Sequence, residues 1–432
     1  MREALARAYS YWIGAADLDG FRIDTLKHVE RGFWQHFCPD VRRWAQEVGK
    51  KNFLQFGEAF DGHNDLLGAY TKNLGVDSVF YFSQKFQVFD GVFKSQEPTR
   101  NIESLWDQRI PKEGSPQHFG TVSHLCLPTN GGRTETGRNE EEDETLYDDE
   151  GLTDDRGLCL RQDMELSGPV DADTGKGLPP YKLLVSFLDN HDIPRFLFQD
   201  DGEPGYPCLD QKLQCSDEVC ENHGDSVESW RHSGFCRRDQ TQYRCGCDFS
   251  GLRAALGLLL TMDGIPCIYY GTEQNFNGGN DPTNREDLWS SGFDTSGETF
   301  RWIQSLTKAR SCHAALRRGD MRVLWSSPNR GDSEASDAGI FAFERRYQPT
   351  SGGMEIVLVI VNTSASRKSV TSSDGQLSNA MITSFEEGEV LHDALNPTTS
   401  VRVGTGGRAL VELPARSVTI LYPRGQKTTC RN

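Results

Sequence analysis

Three short stretches place acids where chemistry could use them. "GFRIDTLKH", residues 20–28, sets Arg22 and Asp24 two positions apart at the close of an apolar run that begins at Leu18. "FLQFGEAF" ends a second such run on Glu58, and "SFLDNHDIPRF" carries Asp192 just past a third. Side chains two apart on a strand point to the same side, so Arg22 can hold Asp24 ionised and oriented. Asp24 and Glu58 lie 34 residues apart, the length of one strand–helix repeat, which puts them on adjacent parallel strands. In a parallel barrel the C-terminal strand ends gather at one mouth. Acids converging there raise one another's pKa and are costly unless the chemistry uses them. Two carboxyl groups about 5–5.5 Å apart suit retaining cleavage of a glycosidic bond, one as nucleophile and the other as general acid and then base. The apolar setting of "GEAF" would favour the protonated form such an acid needs. A single carboxylate at a strand end is more commonly a surface or capping residue; three, each in its own local setting, reverse that weight.

The elements that must position these acids read as a βα repeat. Strand-like runs fall at 18–24, 52–58, 76–82, 183–189 and 265–271, with helical patterns at about 30–49, 62–73, 99–110, 249–262 and 298–318. That alternation predicts a parallel sheet covered by helices. The stretches 111–178 and 196–247 are too long for ordinary connections and read as insertions on one face of the sheet. From about Val323 the pattern changes to alternating strands, at 339–345, 355–362 and 409–413, with Ser, Thr and Gly turns. The expected organisation is therefore an α/β domain with a helix-covered parallel sheet over 1–320 and an antiparallel β domain over 321–432.

Composition narrows the partners. The formal net charge of −17 argues against nucleic acid, which would need a basic face, and no stretch reaches the roughly 20 apolar residues of a membrane span. Residues 135–155 hold eleven Asp or Glu against Arg138 alone, a block that reads as a solvated insertion. It lacks the alternating acids and central Gly of a calcium loop. Six of the twelve cysteines, Cys208, Cys215, Cys220, Cys236, Cys245 and Cys247, crowd into forty residues. Disulfides in an oxidising compartment are favoured over zinc, because no Cys-x-x-Cys pair occurs. The sequon at Asn362 fits secretion but arises often by chance. Residues 1–16 read as an amphipathic helix, not a signal peptide. Trp289 and Trp302 read as core before sugar platforms.

Taken in order, "GFRIDTLKH", "GEAF", "FLDNHD", "GIPCIYYGTEQ" and "GGNDPTNRE" resemble the α-amylase family, glycoside hydrolase family 13, from residue 1 to about Tyr422. The resemblance implies a (β/α)8 TIM barrel, here its strands four to eight, followed by a C-terminal antiparallel β-sandwich. It implies Asp24 as nucleophile, Glu58 as general acid and base, and Asp192 as a carboxylate on sugar hydroxyls. Arg22 would orient the nucleophile and His191 would bond the sugar at the cleavage point. Lys27 and His28 would line the reducing-end side, the His28 carbonyl would ligate a structural calcium, and Arg285 would stand beside the non-reducing-end subsite. The first three strands of the family barrel, the third ending in Asn-His, have no counterpart here. The expected activity is hydrolysis of α-glucans or maltooligosaccharides by a monomeric extracellular or secretory-pathway enzyme. A transglycosylase of the same family, or a non-catalytic carbohydrate- or partner-binding homologue, are the alternatives.

Overall fold

The computed structural model describes residues 1–72, 75–110, 118–120, 126–128, 164–166, 169–172, 174–175, 177–198, 236–239, 242–245 and 248–426. The chain divides into two units. One comprises Met1–Gln87, Ile102–Ser186 and Gln348–Gly353; the other comprises Val88–Asn101, Phe187–Tyr347 and Met354–Asn432. The acidic block and most of the two predicted insertions lie outside the described residues, as do Cys208, Cys215, Cys220 and Cys247. Cys236 and Cys245 sit directly opposite each other in the backbone register of a short antiparallel hairpin.

The first unit opens with helix α1 (Arg2–Ala15), which buries Ala6, Ser10 and Ile13 along one stripe. Strand β1 (Gly20–Ile23) then pairs in parallel with β2 (Leu54–Gly57), and β2 with β3 (Ser78–Val79). A single parallel bridge from Phe80 to Val185 continues the sheet in sequence order. Helix α2 (Arg31–Glu47) joins β1 to β2 and buries Trp34, Phe37, Cys38, Val41, Arg42 and Ala45, the spacing of one helical face. Helix α3 (Asn64–Ala69) follows β2. Beneath the sheet, Arg42 and Asp77 form an ion pair at 2.8 Å with both side chains almost wholly buried. Asp77 also accepts the Gln55 backbone N–H at 2.8 Å. Desolvation raises its pKa even so, against the pull of Arg42.

In the second unit helix α4 (Phe249–Thr261) is buried on nearly every side, as its run of Leu and Ala requires. Strand β4 (Ile265–Cys267) and helix α5 (Glu298–Cys312) follow. Beyond them lies an antiparallel sheet of β5 (Asp320–Ser326), β6 (Ile340–Tyr347), β7 (Glu355–Asn362), β8 (Val390–Asp393), β9 (Ser400–Arg402) and β10 (Ser417–Pro423). Its order is β5-β6-β7-β10-β8-β9. Ile340, Ala342, Leu358, Ile360, Leu391 and Leu421 form the heart of its core on one face, while Phe341, Phe343, Val357, Val359 and Val361, which alternate with them, are fully buried on the other, so the central strands are covered on both sides.

Two local expectations fail for identifiable reasons. The helix expected over 298–318 breaks at His313, where Glu355 takes the His313 ring nitrogen at 3.0 Å and the Ala315 N–H at 3.2 Å, capping a new short helix. The strand expected over 409–413 is split into Arg408–Ala409 and Glu412–Leu413, which pair with different partners. Between them the Thr371 hydroxyl donates to the Ala409 carbonyl and accepts the Val411 N–H, taking the place of a ladder rung. The Asn362 side chain is buried and donates to the carbonyls of Arg367, Leu413 and Pro414, which leaves no room for a glycan on the folded chain.

Candidate active site

The chemistry-bearing residues of the first unit meet where β1 and β2 end. The register sets Ile23 beside Gly57, so Asp24 and Glu58 leave neighbouring strand ends together. Beyond the ladder the Glu58 N–H donates to Ile23 O at 2.9 Å, and the Leu26 N–H donates to Glu58 O at 2.8 Å. Thr25 turns the chain through a left-handed conformation, φ 50°, and drops Leu26 against β2. Gly57 is required there, because a Cβ at that position would stand 2.5 Å from the Leu26 side chain.

Arg22 holds both acids. Its Nη1 donates to Asp24 Oδ1 at 2.7 Å and its Nη2 to Glu58 Oε2 at 2.5 Å. The Glu58 side chain is 9% exposed and that of Asp24 is 67% exposed. The sequence reading gave Arg22 to Asp24 alone; the second contact arises because the parallel register brings Glu58 alongside. Lys27 Nζ donates to the Phe60 carbonyl at 2.8 Å and lies 3.6 Å from Asp61, tying the two strand-end loops to each other. His28 closes a short 3₁₀ turn, Leu26–His28, with its N–H on the Thr25 carbonyl.

In the second unit His191, Asp192 and Arg285 form a further polar group. His191 Nε2 lies 3.1 Å from Asp192 Oδ2, and Arg285 Nη2 lies 3.4 Å from Asp192 Oδ1. Arg285 Nε donates to the His191 carbonyl at 3.1 Å. The turn is fixed from beneath by Asn284, fully buried, whose amide donates to the carbonyls of Asn190 and Ile193. Arg195, also fully buried, donates to Glu286 at 2.9 Å and to the Tyr270 carbonyl at 2.6 Å, with its guanidinium 4.0 Å from the Tyr269 ring centre. Burial foremost, with the hydrogen bond to Tyr270, pushes the Tyr269 hydroxyl up to about 12.

Solved structures share this architecture. The α-amylase of Geobacillus thermoleovorans, solved with acarbose, superposes with a TM-score of 0.57 at 20% identity, over 99% of this chain and 64% of that one. Among curated proteins, a cyclomaltodextrin glucanotransferase of Niallia circulans is 32% identical over 412 residues, 94% of this chain and 37% of that protein. A beta/alpha-amylase of Paenibacillus polymyxa is 24% identical over 380 residues, 87% of this chain and 21% of that protein.

These likenesses support membership of the α-amylase family. The chain's fold is that of the family's solved members, with parallel strands and helices followed by an antiparallel β domain. No family model matches the chain, and it spans well under half the length of these two curated relatives. Of the residues singled out in this chain, Arg22, Asp24 and Glu58 are in direct contact, and so are His191, Asp192 and Arg285. Residue spacing alone missed Asn284, Arg195 and Glu286. Asn284 and Glu286 lie in the polar run "DPTNRE", and Arg195 is the one charged residue of the apolar "IPRFLF"; polar groups buried in either place must find partners.

Proposed function

We propose that the chain is an α-amylase-like retaining glycoside hydrolase acting on α-1,4-linked glucans, namely starch, glycogen and maltooligosaccharides. The observation that carries this reading is one guanidinium, Arg22, donating to Asp24 and Glu58 at the ends of adjacent parallel strands. Asp24, the more exposed carboxylate, attacks the anomeric carbon as the bond to the glycosidic oxygen breaks, and Glu58 gives that oxygen its proton. Glu58 then takes a proton from water, which opens the ester with overall retention. Arg22 donates to one Glu58 oxygen, so the proton for the glycosidic oxygen would be carried on the other. Asp192 and His191 would bond sugar hydroxyls, with Arg285 beside them, and Lys27 and His28 would line the reducing-end side.

A transglycosylase using the same ester is the second reading, favoured by the likeness to a cyclomaltodextrin glucanotransferase, since only the acceptor differs. The parallel strands are read as strands four to eight of a (β/α)8 barrel, within a domain spanning 1–320. Among the described residues no group of three or more His, Cys, Asp or Glu could hold a metal ion. Calcium at the His28 carbonyl is proposed from family resemblance alone. Disulfides in the 208–247 cluster, a monomeric state, an extracellular or secretory location and the absence of a nucleic-acid partner belong to the same proposal. Among the described residues no helix is long and apolar enough to cross a membrane.

The test separates the two acids. Asp24→Ala should abolish turnover of every glucan substrate. Glu58→Ala should lose roughly 10²–10⁴-fold on starch yet still form the intermediate from an α-glucosyl fluoride, with azide rescuing a product of retained configuration. Equal loss on both substrates, or an inverted product, would show the assignment to be wrong.

A further inference from the structure

Trp289 and Phe293 are 76% and 50% exposed, against the core position their residue types suggest. Their rings stand 5.5 Å apart and nearly perpendicular, at 88°. The segment that presents them is fixed at both ends. Asp287 caps the 3₁₀ turn Leu288–Ser291 by accepting the Trp289 N–H at 2.9 Å, and Gln274 donates to the Asp294 carbonyl at 2.9 Å. Phe293 adopts a left-handed backbone, φ 54°, a conformation that is strained for an aromatic residue. Strain and hydrogen bonds are thus spent on holding two large apolar rings out in water.

We propose that Trp289 and Phe293 are a stacking platform for an outlying stretch of an α-glucan chain, which rests on the glucan-acting reading above. The C–H face of a glucose ring matches an exposed aromatic face, while its hydroxyls reach a polar rim such as that of Asp287 and Ser290. A protein partner is a poorer occupant, because a stable protein interface buries far more surface than two rings supply. The platform continues the segment that carries Arg285, which lies on Asp192. Four residues span at most about 14 Å, the length of roughly three linked glucose rings, so a long glucan touches both places in many placements, while a trisaccharide seated at Asp192 reaches the platform only when fully extended toward it.

Calorimetric titration of the full chain carrying Asp24→Asn, which binds without consuming ligand, tests this with maltoheptaose and maltotriose. Trp289→Ala should weaken maltoheptaose about tenfold, the worth of roughly 50 Å² of apolar contact, and leave maltotriose nearly unchanged. Trp289→Phe should restore most of the loss, and Phe293→Ala should show a smaller loss in the same direction. Equal loss for both sugars would reduce Trp289 to a support of the turn, and unchanged affinity for both would remove the platform. Should the unsubstituted chain cleave maltoheptaose with the expected dependence on Asp24 while Trp289→Ala has no effect, the platform alone falls. A chain that neither binds nor cleaves any glucan overturns the platform and the proposed function together.

Discussion

Replacing Arg22 by methionine should expose an asymmetry between its two ion pairs. The Asp24 carboxylate is two-thirds exposed, and ion pairs of that kind contribute about 0–1 kcal/mol. The Glu58 carboxylate is 9% exposed, and stripping a buried acid of its partner costs about 3–5 kcal/mol. Methionine keeps part of the packing against Phe80, whose ring centre lies 5.7 Å from the guanidinium, so a net loss of about 3 kcal/mol is expected. A double-mutant cycle resolves the two contacts. Arg22→Met with Glu58→Gln should show a coupling of about 2–3 kcal/mol, and Arg22→Met with Asp24→Asn less than about 1. Because a chain of this size need not unfold in one step, the measurement is native-state hydrogen exchange at the Leu26 and Glu58 amides. Both amides bond across this corner and report its local opening. A coupling to Asp24 equal to or larger than that to Glu58 would refute the claim that burial decides which contact matters.

Gly57→Ala should destabilise the chain by about 1–3 kcal/mol and lower kcat, because its Cβ meets Leu26 and relief of that clash shifts Glu58; thermal melts with steady-state kinetics read both. Asn284→Leu should cost about 1–3 kcal/mol by leaving two buried carbonyls unpaired and should weaken glucan binding at the His191–Asp192 turn, which titration of the folded variant measures. Burial pushes the Cys38 thiol from 9.0 up to about 12. Above pH 9 the unfolded chain therefore gives up a proton that the folded chain keeps, and stability falls as pH rises toward 12. The fall should be shallower in Cys38→Ala, as denaturation midpoints across that range would reveal, and identical slopes would contradict it.

Much of this was legible in the residues because strand-end acids carry their own local signals. Arg22 and Asp24 share a face by simple alternation, and the runs at 18–24, 52–58 and 265–271 became β1, β2 and β4, each trimmed by a few residues. The Arg22–Glu58 contact was not legible, because it depends on how two strands 34 residues apart fall into register. The break at His313 depends on Glu355, more than forty residues away, and the split at 409–413 depends on the Thr371 hydroxyl. In both, a tertiary hydrogen bond overrode a sound local pattern. Trp289 misled for a related reason: a large indole suggests burial, and only the capped turn with a left-handed Phe293 turns it outward.

The buried Arg195 has a consequence for how this protein can change over time. Its guanidinium joins three stretches far apart in sequence, through the Glu286 carboxylate, the Tyr270 carbonyl and the Tyr269 ring. Glu286 in turn accepts the Gly278 N–H through its other oxygen. Between its fixed points the loop depends on few particular residues, chiefly Asn284 beneath the turn and Gly278, where a Cβ would stand 1.9 Å from the Thr283 carbonyl. An exposed position such as Asn280 can change while the loop keeps its shape. Exchange of Arg195 for lysine is a different matter, since a single ammonium cannot reproduce the flat, forked contact. Variation among descendants of this chain should therefore be wide at such exposed positions and nearly absent at the ion.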